Sequence, residues 1–342
     1  MGKVSKRVLF YSSVSDKDLF RITGFYRTDI QILEDLGYKV ILSNSFKDFF
    51  IFWKYDISFI YFWTKGLIPA GISKLFHKKV IFTGGMDNLA LEYNKSILNY
   101  TIKKFIFKLC TIFSDANIIV SNADLNNINN TKYKIKNIYL IPHVIEFKKY
   151  KYDNTLKNNV ITTIVWMESK GNVLRKGVDK ILYVYKEFLK YNNNYTILII
   201  GSKGEGTSYL EEISKKLGIF NKVRFTGRIE EEEKIKYLKT SKFYFQLSEY
   251  EGFGIAAIET LAAGNLVIHS GKGGLKDALG SYGIKVKDRM NYNEIACLLR
   301  DIDNKYKEYS DFINDGIKHV EDNFSYRIRK NGIAKILKKI IY

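Results

Sequence analysis

The chain is short of three things, and each shortage excludes something. It has 2 cysteines in 342 residues, Cys110 and Cys297, far apart in sequence. They form neither a disulfide framework nor a metal-ligand spacing, so the expected setting is reducing and cytoplasmic. It has no long apolar run. The most apolar stretch, Ile57 to Trp63, is bounded by Asp56 and Lys65, far short of the roughly 20 residues that cross a bilayer core. Residues 1–8 are polar and basic and are followed by an apolar run of only about five, so no signal peptide is expected. Acid is the third shortage: 36 Asp and Glu against 55 Lys and Arg give a formal charge of +19.

What is present suffices for a folded protein. Hydrophobic residues are 46% and aromatics 15%, which excludes disorder as the main state. The length suggests two domains. Residues 1–150 carry 22 basic and 12 acidic side chains, a charge of +10, and the remainder carries +9. The basicity is thus not held in a detachable tail. It suits nucleic acid, anionic lipid headgroups or phosphorylated substrates, and it also suits a composition merely biased toward Lys, Asn, Ile and Tyr.

Short apolar runs alternate with helical patterns. Strands are expected at Arg7–Tyr11, Lys39–Leu42, Ile57–Phe62, Lys79–Phe82, Asn117–Val120 and Ile138–Ile141, with a helix over Asp29–Leu36 stopped by Gly37. Residues 148–159 are polar and read as a linker. Beyond it come strands at Val160–Trp166, Tyr195–Ile200, Val223–Thr226, Phe243–Leu247 and Leu266–Ile268. Helices are expected between them at Val178–Leu189, Ser208–Leu217 and Ala256–Ala263. This is the pattern of two doubly wound α/β domains in tandem, whose ligands bind at the carboxyl ends of the strands. Two such domains facing each other would make a cleft.

The most informative stretch runs from Ser248 to Gly264, from a buried strand into a helix. Gly252 and Gly254 allow close backbone approach to a ligand. The helix start near Ala256 offers free amides and a positive dipole end to a phosphate. Glu251 precedes it and Glu259 lies about one turn inside it; carboxylates there can accept bonds from sugar or ribose hydroxyls, or simply cap and complement the helix. The segment resembles the E-x(7)-E signature of retaining glycosyltransferases of family 4, which have the GT-B fold; Glu251 and Glu259 have its spacing, and Gly252, Phe253, Gly254 and Ile255 fit between them. The resemblance extends to Tyr195–Gly201, to Val223–Arg228 with Gly227 and Arg228, and to the Gly-Gly turn at Gly273–Asp277. Residues 115–145 match more weakly, through Ser114–Ser121 and Ile141-Pro142.

The resemblance implies roles. Lys176, in Arg175-Lys176-Gly177 ahead of a helix, would hold the donor diphosphate. Arg175 would substitute for a family Arg that usually stands directly after the preceding strand. Glu251 would orient the donor sugar and Glu259 the ribose. Gly201, Gly227 and Arg228 would line the nucleotide. Gly24, between the first strand and helix, would stand in a phosphate loop. Asp87, in Thr83-Gly-Gly-Met-Asp87, would face the acceptor or merely cap a turn. Gly84 stands where the family often has His. His143 reads as a hinge near the linker.

The expected division is residues 1–148 for the acceptor, joined by a returning helix at 325–342, and 149–324 for the donor. The expected enzyme is retaining and needs neither cofactor nor divalent metal: no Asp-x-Asp stands in a credible loop, since Asp301-Ile-Asp303 lies in a late helical region. The donor would be a nucleotide sugar. The acceptor would be a glycan, lipid-linked or protein-linked, in bacterial surface polysaccharide or glycoconjugate synthesis. Nucleic acid is not an expected partner. The basic amphipathic segments 95–113 and 327–342 suit sheet packing or an anionic membrane at its inner face. The competing readings are a GT-B epimerase or phosphorylase, and an inactive basic module for RNA or membrane.

Overall fold

The computed structural model describes residues 6–341 apart from Tyr93 and Lys95. The first residue of the 95–113 segment and the last of the 327–342 segment therefore lie outside the described residues. The chain divides into two compact units, residues 1–145 with 324–342, and residues 146–323.

The first unit is built on six parallel strands, β1 (Arg7–Tyr11), β2 (Lys39–Ser43), β3 (Ile57–Tyr61), β4 (Lys79–Thr83), β5 (Ala116–Ile119) and β6 (Ile138–Leu140), in the order β2-β1-β3-β4-β5-β6. Strands β3 and β5 are buried along their whole length, as expected of a sheet covered on both faces. One face is covered by α1 (Leu19–Ile22), α2 (Gly24–Asp35) and, at the far end of the sequence, α15 (Tyr326–Ile341). The other carries α3 (Trp63–Leu75), α4 (Ile97–Phe113) and α5 (Asn122–Asn130).

Helix α2 starts at Gly24, five residues before the expected Asp29. Glycine and bulky side chains disfavour a helix there, but packing prevails. Tyr26 is buried and shares a hydrogen bond with Ser12 Oγ at 2.7 Å, and its ring meets those of Phe10, Phe20 and Tyr61.

The last helix is tied in by a buried charge cluster. Arg329, 1% exposed, donates from Nε to Asp29 Oδ1 at 2.5 Å and from Nη2 to Asp29 Oδ2 at 2.7 Å. Its Nη1 reaches the carbonyls of Ile141 and Pro142, and Tyr61 donates to Asp29 Oδ2 at 2.6 Å. His143 packs its ring on Phe25 at 5.4 Å and is buried in this unit, a core contact where a hinge was expected. Burial, then the charge of Arg329, holds its pKa well below the ordinary value.

The second unit repeats the plan. Its strands β7 (Asn158–Ile164), β8 (Thr196–Ile200), β9 (Val223–Gly227), β10 (Ser241–Gln246), β11 (Leu266–His269) and β12 (Ile284–Lys285) run in the order β12-β11-β10-β7-β8-β9, all parallel. Its helices are α6 (Phe147–Tyr150), α7 (Lys170–Lys176), α8 (Val178–Phe188), α9 (Glu205–Lys216), α10 (Glu231–Thr240), α11 (Ile255–Ala262), α12 (Leu275–Leu279), α13 (Tyr292–Asn304) and α14 (Ser310–Asn323). The expected linker at 148–159 is partly structured: it includes most of α6 and the start of β7. The strand order reverses between β7 and β10, and the loops after those two strands meet there.

Candidate active site

At this switch point the chain after β7 brings Lys176 beside Glu251, which follows β10. The expected loop around Arg175 and Lys176 is instead the last turn of α7, capped by Ser169, whose Oγ accepts from Asn172 N. The helix stops at Gly177, at φ +68°, and a Cβ there would lie 2.2 Å from the Leu247 carbonyl oxygen. No other residue allows so close an approach to the end of β10. Lys176 Nζ then reaches Glu251 Oε1 at 2.5 Å, and Ser248 Oγ donates to the same oxygen at 2.6 Å. Glu251 is 7% exposed. Burial pushes its pKa up, but the charge of Lys176 and hydrogen bonds from Lys176, Ser248 and Gln246 together outweigh this and hold it below the ordinary value. Arg175 lies along the same loop: its backbone carbonyl accepts from Glu249 N at 2.8 Å, and its guanidinium donates to Asn172 Oδ1 at 2.7 Å and to the Tyr250 carbonyl at 3.5 Å.

The glycines set the backbone of this loop. Gly254 adopts φ +108° and caps α11; its carbonyl accepts from Ala257 N and Ile258 N, with the amides of Ile255 and Ala256 ahead of them at the positive end of the helix. The Gly-Gly turn braces the loop from below. Gly274 N donates to the Glu251 carbonyl at 2.7 Å, and a Cβ on Gly273 would lie 2.1 Å from that oxygen. Gly252 and Phe253 are buried between these supports. On the β8 side, Gly201 pairs with Gly227 across a bridge, and a Cβ on Gly201 would meet the Val165 carbonyl at 1.8 Å. Arg228, past the end of β9, is exposed.

Glu259 sits in a network that the sequence reading missed. Lys234 Nζ lies 3.0 Å from each of its carboxylate oxygens. The hydroxyl of Tyr150, itself 1% exposed, lies 3.0 Å from Glu259 Oε1 and 3.1 Å from Glu231 Oε1. One phenolic proton thus serves two carboxylates, and burial followed by those charges raises the Tyr150 pKa. Lys234, one turn into α10, carries a legible signal, the first cation after the four glutamates Glu230 to Glu233. Tyr150 carries none, because it falls in the segment read as linker.

Gly24 and Asp87 belong to the other unit. Gly24 is the first residue of α2 rather than part of a loop, and a Cβ there would meet nothing within 4 Å. Asp87 opens a 3₁₀ turn near Asp124. The space a side chain at Gly84 would need is filled: a Cβ there would lie 2.9 Å from the Phe62 ring. Among the described residues no three His, Cys, Asp or Glu side chains converge as metal ligands.

Residues 169–319, which carry the whole Lys176–Glu251–Glu259 region, match the family described as glycosyl transferases group 1. An uncharacterized glycosyltransferase of Methanocaldococcus jannaschii is 27% identical over 268 residues, 75% of this chain and 64% of the relative. The chain therefore spans less than two thirds of that relative's length. Sucrose-phosphate synthase from Thermosynechococcus elongatus superposes with a TM-score of 0.83 over 98% of this chain and 99% of that one, at 16% identity. Anabaena HepE, solved in complex with UDP-glucose, gives 0.79 over 97% and 99%, at 15% identity. The two six-stranded units are thus those of the GT-B fold, and the segment around Glu251 is similar to group 1 glycosyl transferases.

Proposed function

We propose that the chain is a retaining, metal-independent glycosyltransferase of family 4 type that moves a sugar from a nucleotide-diphosphate sugar to a glycan or a lipid- or protein-linked acceptor. The observation that carries the reading is the Lys176–Glu251 pair beside the glycine-cradled start of α11. An ammonium has three donors, and Glu251 takes one, so Lys176 keeps two for phosphate oxygens. With Arg175 and the positive end of α11, it would stabilise the charge that grows on the departing diphosphate. Glu251, kept ionised by Lys176, would accept bonds from donor sugar hydroxyls and aim the anomeric carbon. Glu259, held by Lys234 and Tyr150, would take the ribose hydroxyls. The first unit would carry the acceptor, with Asp87 on its side. In the front-face course that the family-4 resemblance implies, the departing phosphate helps deprotonate the acceptor, and no side chain serves as a covalent nucleophile. Bacterial surface polysaccharide or glycoconjugate synthesis at the inner face of the membrane is the setting that this acceptor class suits.

The test is a panel of nucleotide sugars, UDP-glucose included, assayed for hydrolysis and transfer with and without excess chelator, the product anomer being read by NMR. Turnover that survives chelator and keeps the donor's anomeric configuration supports the reading. Turnover abolished by chelator and restored by manganese, or an inverted anomer, overturns it.

A further inference from the structure

The first unit carries an apolar surface that the chemistry above does not use. Among the described residues, 20 large hydrophobic side chains are more than a third exposed, and 11 of them come from three segments that make up about a ninth of the chain: the 3₁₀ turns within 46–54, α3 and α4. These segments pack on one another over one face of the sheet. Both helices are apolar on two sides. The inner side of α4 is buried at Phe107 and Cys110, while its outer side sets Leu98, Ile102, Phe105, Leu109 and Ile112 at steps of four and three. Leu98 is 69% exposed, Phe105 56% and Ile112 64%. Helix α3 repeats this with Ile68 and Leu75, 59% and 71% exposed, and Trp53 stands 61% exposed in the neighbouring 3₁₀ turn. Spacing of this kind marks a helix face made to be covered.

The charge chooses the cover. Residues 46–54, 63–79 and 96–113 hold nine lysines and a single acid, Asp48. Lys74 and Lys79 share Asp115, and Lys104 and Lys108 sit over the Tyr133 ring at 5.4 and 5.1 Å, beside the stripe of α4. A second copy of this chain would bring lysines against lysines. Nucleic acid would meet the lysines but leave the leucines and isoleucines, which cannot stack on bases, against phosphate. An anionic leaflet takes both groups, the apolar side chains at the acyl boundary and the ammonium groups on lipid phosphates. Helix α15 differs: Ile333, Ile336 and Leu337 are buried in the core, so this segment's apolar face is already covered.

We propose that the face formed by residues 46–54, α3 and α4 is the seat of an anionic lipid surface, and that α15 takes no part in it. The proposal deepens the reading of a lipid-linked acceptor, but its test needs no turnover. Full-length protein is floated with vesicles of phosphatidylcholine alone and with added phosphatidylglycerol, at low and high salt. Wild type should float with anionic vesicles at low salt and be largely released by high salt. The triple change Leu98→Ser, Phe105→Ser, Ile112→Ser should cut binding at least about tenfold, since the loss of buried apolar side chains removes the main binding term. The pair Lys104→Gln, Lys108→Gln should cost about fivefold per lysine at low salt. Changing Lys335, Lys338 and Lys339 of α15 to Gln should leave binding unchanged. Unaltered thermal melts and unaltered affinity for UDP, a nucleoside diphosphate, keep misfolding apart from lost binding. Equal flotation with neutral vesicles, wild-type flotation of the triple variant, or loss through the α15 changes overturns the proposal. So does a dimer in sedimentation that the Phe105 change dissociates while no vesicle is bound.

Discussion

The two units use buried charge in opposite ways. In the first, Arg329 and Asp29 are almost wholly out of water, and their charged atoms bond to each other, to Tyr61, to Thr83 and to two backbone carbonyls. In the second, the Lys176 and Lys234 side chains are 22% and 21% exposed, and Glu251, the partner of Lys176, stands at the carboxyl edge of the sheet among glycines. A charge that is fully enclosed and fully bonded holds a fold. A charge that is bonded on one side and open on another can still act on something else. The pairs differ in type, Arg–Asp against Lys–Glu, but the difference that bears on function is enclosure.

This contrast breaks if the two kinds of pair respond alike to mutation. The largest effect is expected at the enclosed pair. Arg329→Met leaves Asp29 buried without its partner and should destabilise the first unit by about 3–5 kcal/mol in urea unfolding. The double change with Asp29→Leu should recover most of that loss. Next comes Lys176→Ala, which should lower turnover on the order of 100-fold, with little change in melting and a smaller loss of nucleoside diphosphate affinity, because its partner's charge appears in the transition state. If it unfolds the protein instead, Lys176 belongs with Arg329.

A finer cut separates the two glutamates of the second unit. Glu259→Ala should weaken nucleoside diphosphate binding by about tenfold, through one lost charge-assisted contact. Glu251→Ala should leave that affinity nearly unchanged and cut turnover. Isothermal titration with UDP reads both variants, and the reverse result would exchange their roles.

A pH-dependent effect is expected at Asp124 of the first unit, whose carboxyl burial and the neighbouring Asp87 push up to about 8, against hydrogen bonds from the amides of Met86 and Val120. The folded carboxyl binds its proton more tightly than the unfolded one. Its stabilising share is therefore complete below the ordinary value of 3.8 and is lost as pH rises through about 8. Between pH 5 and 7 this group alone would lower stability by up to about 1.4 kcal/mol per pH unit. Urea melts of wild type and Asp124→Asn across that range should diverge, with the variant showing the shallower slope.

Much of the architecture was legible because parallel strands buried on both faces are written as plain apolar runs. The Lys-Gly and Gly-Gly elements stood out through the family resemblance, and their glycines have a backbone reason: at Gly177 and Gly273 a side chain would occupy the place of a carbonyl oxygen. What escaped was fixed by distant contacts. Gly24 read as a loop because local propensity says so, while Tyr26 and Ser12, 14 residues apart, pull it into a helix. Tyr150 and Glu259 meet across 109 residues, and nothing local marks the tyrosine. The two faces of α4 have similar composition, and periodicity could not say which would be buried.

The Arg329–Asp29 contact spans 300 positions. It implies an order of assembly. The second unit is one unbroken stretch and can close as soon as residue 323 has emerged. The first unit stays incomplete, with Asp29 lacking its counter-charge, until residue 329 is available. The half of the molecule made first is thus the half finished last. A chain cut at residue 323 should keep the cooperative unfolding of the second unit and lose that of the first.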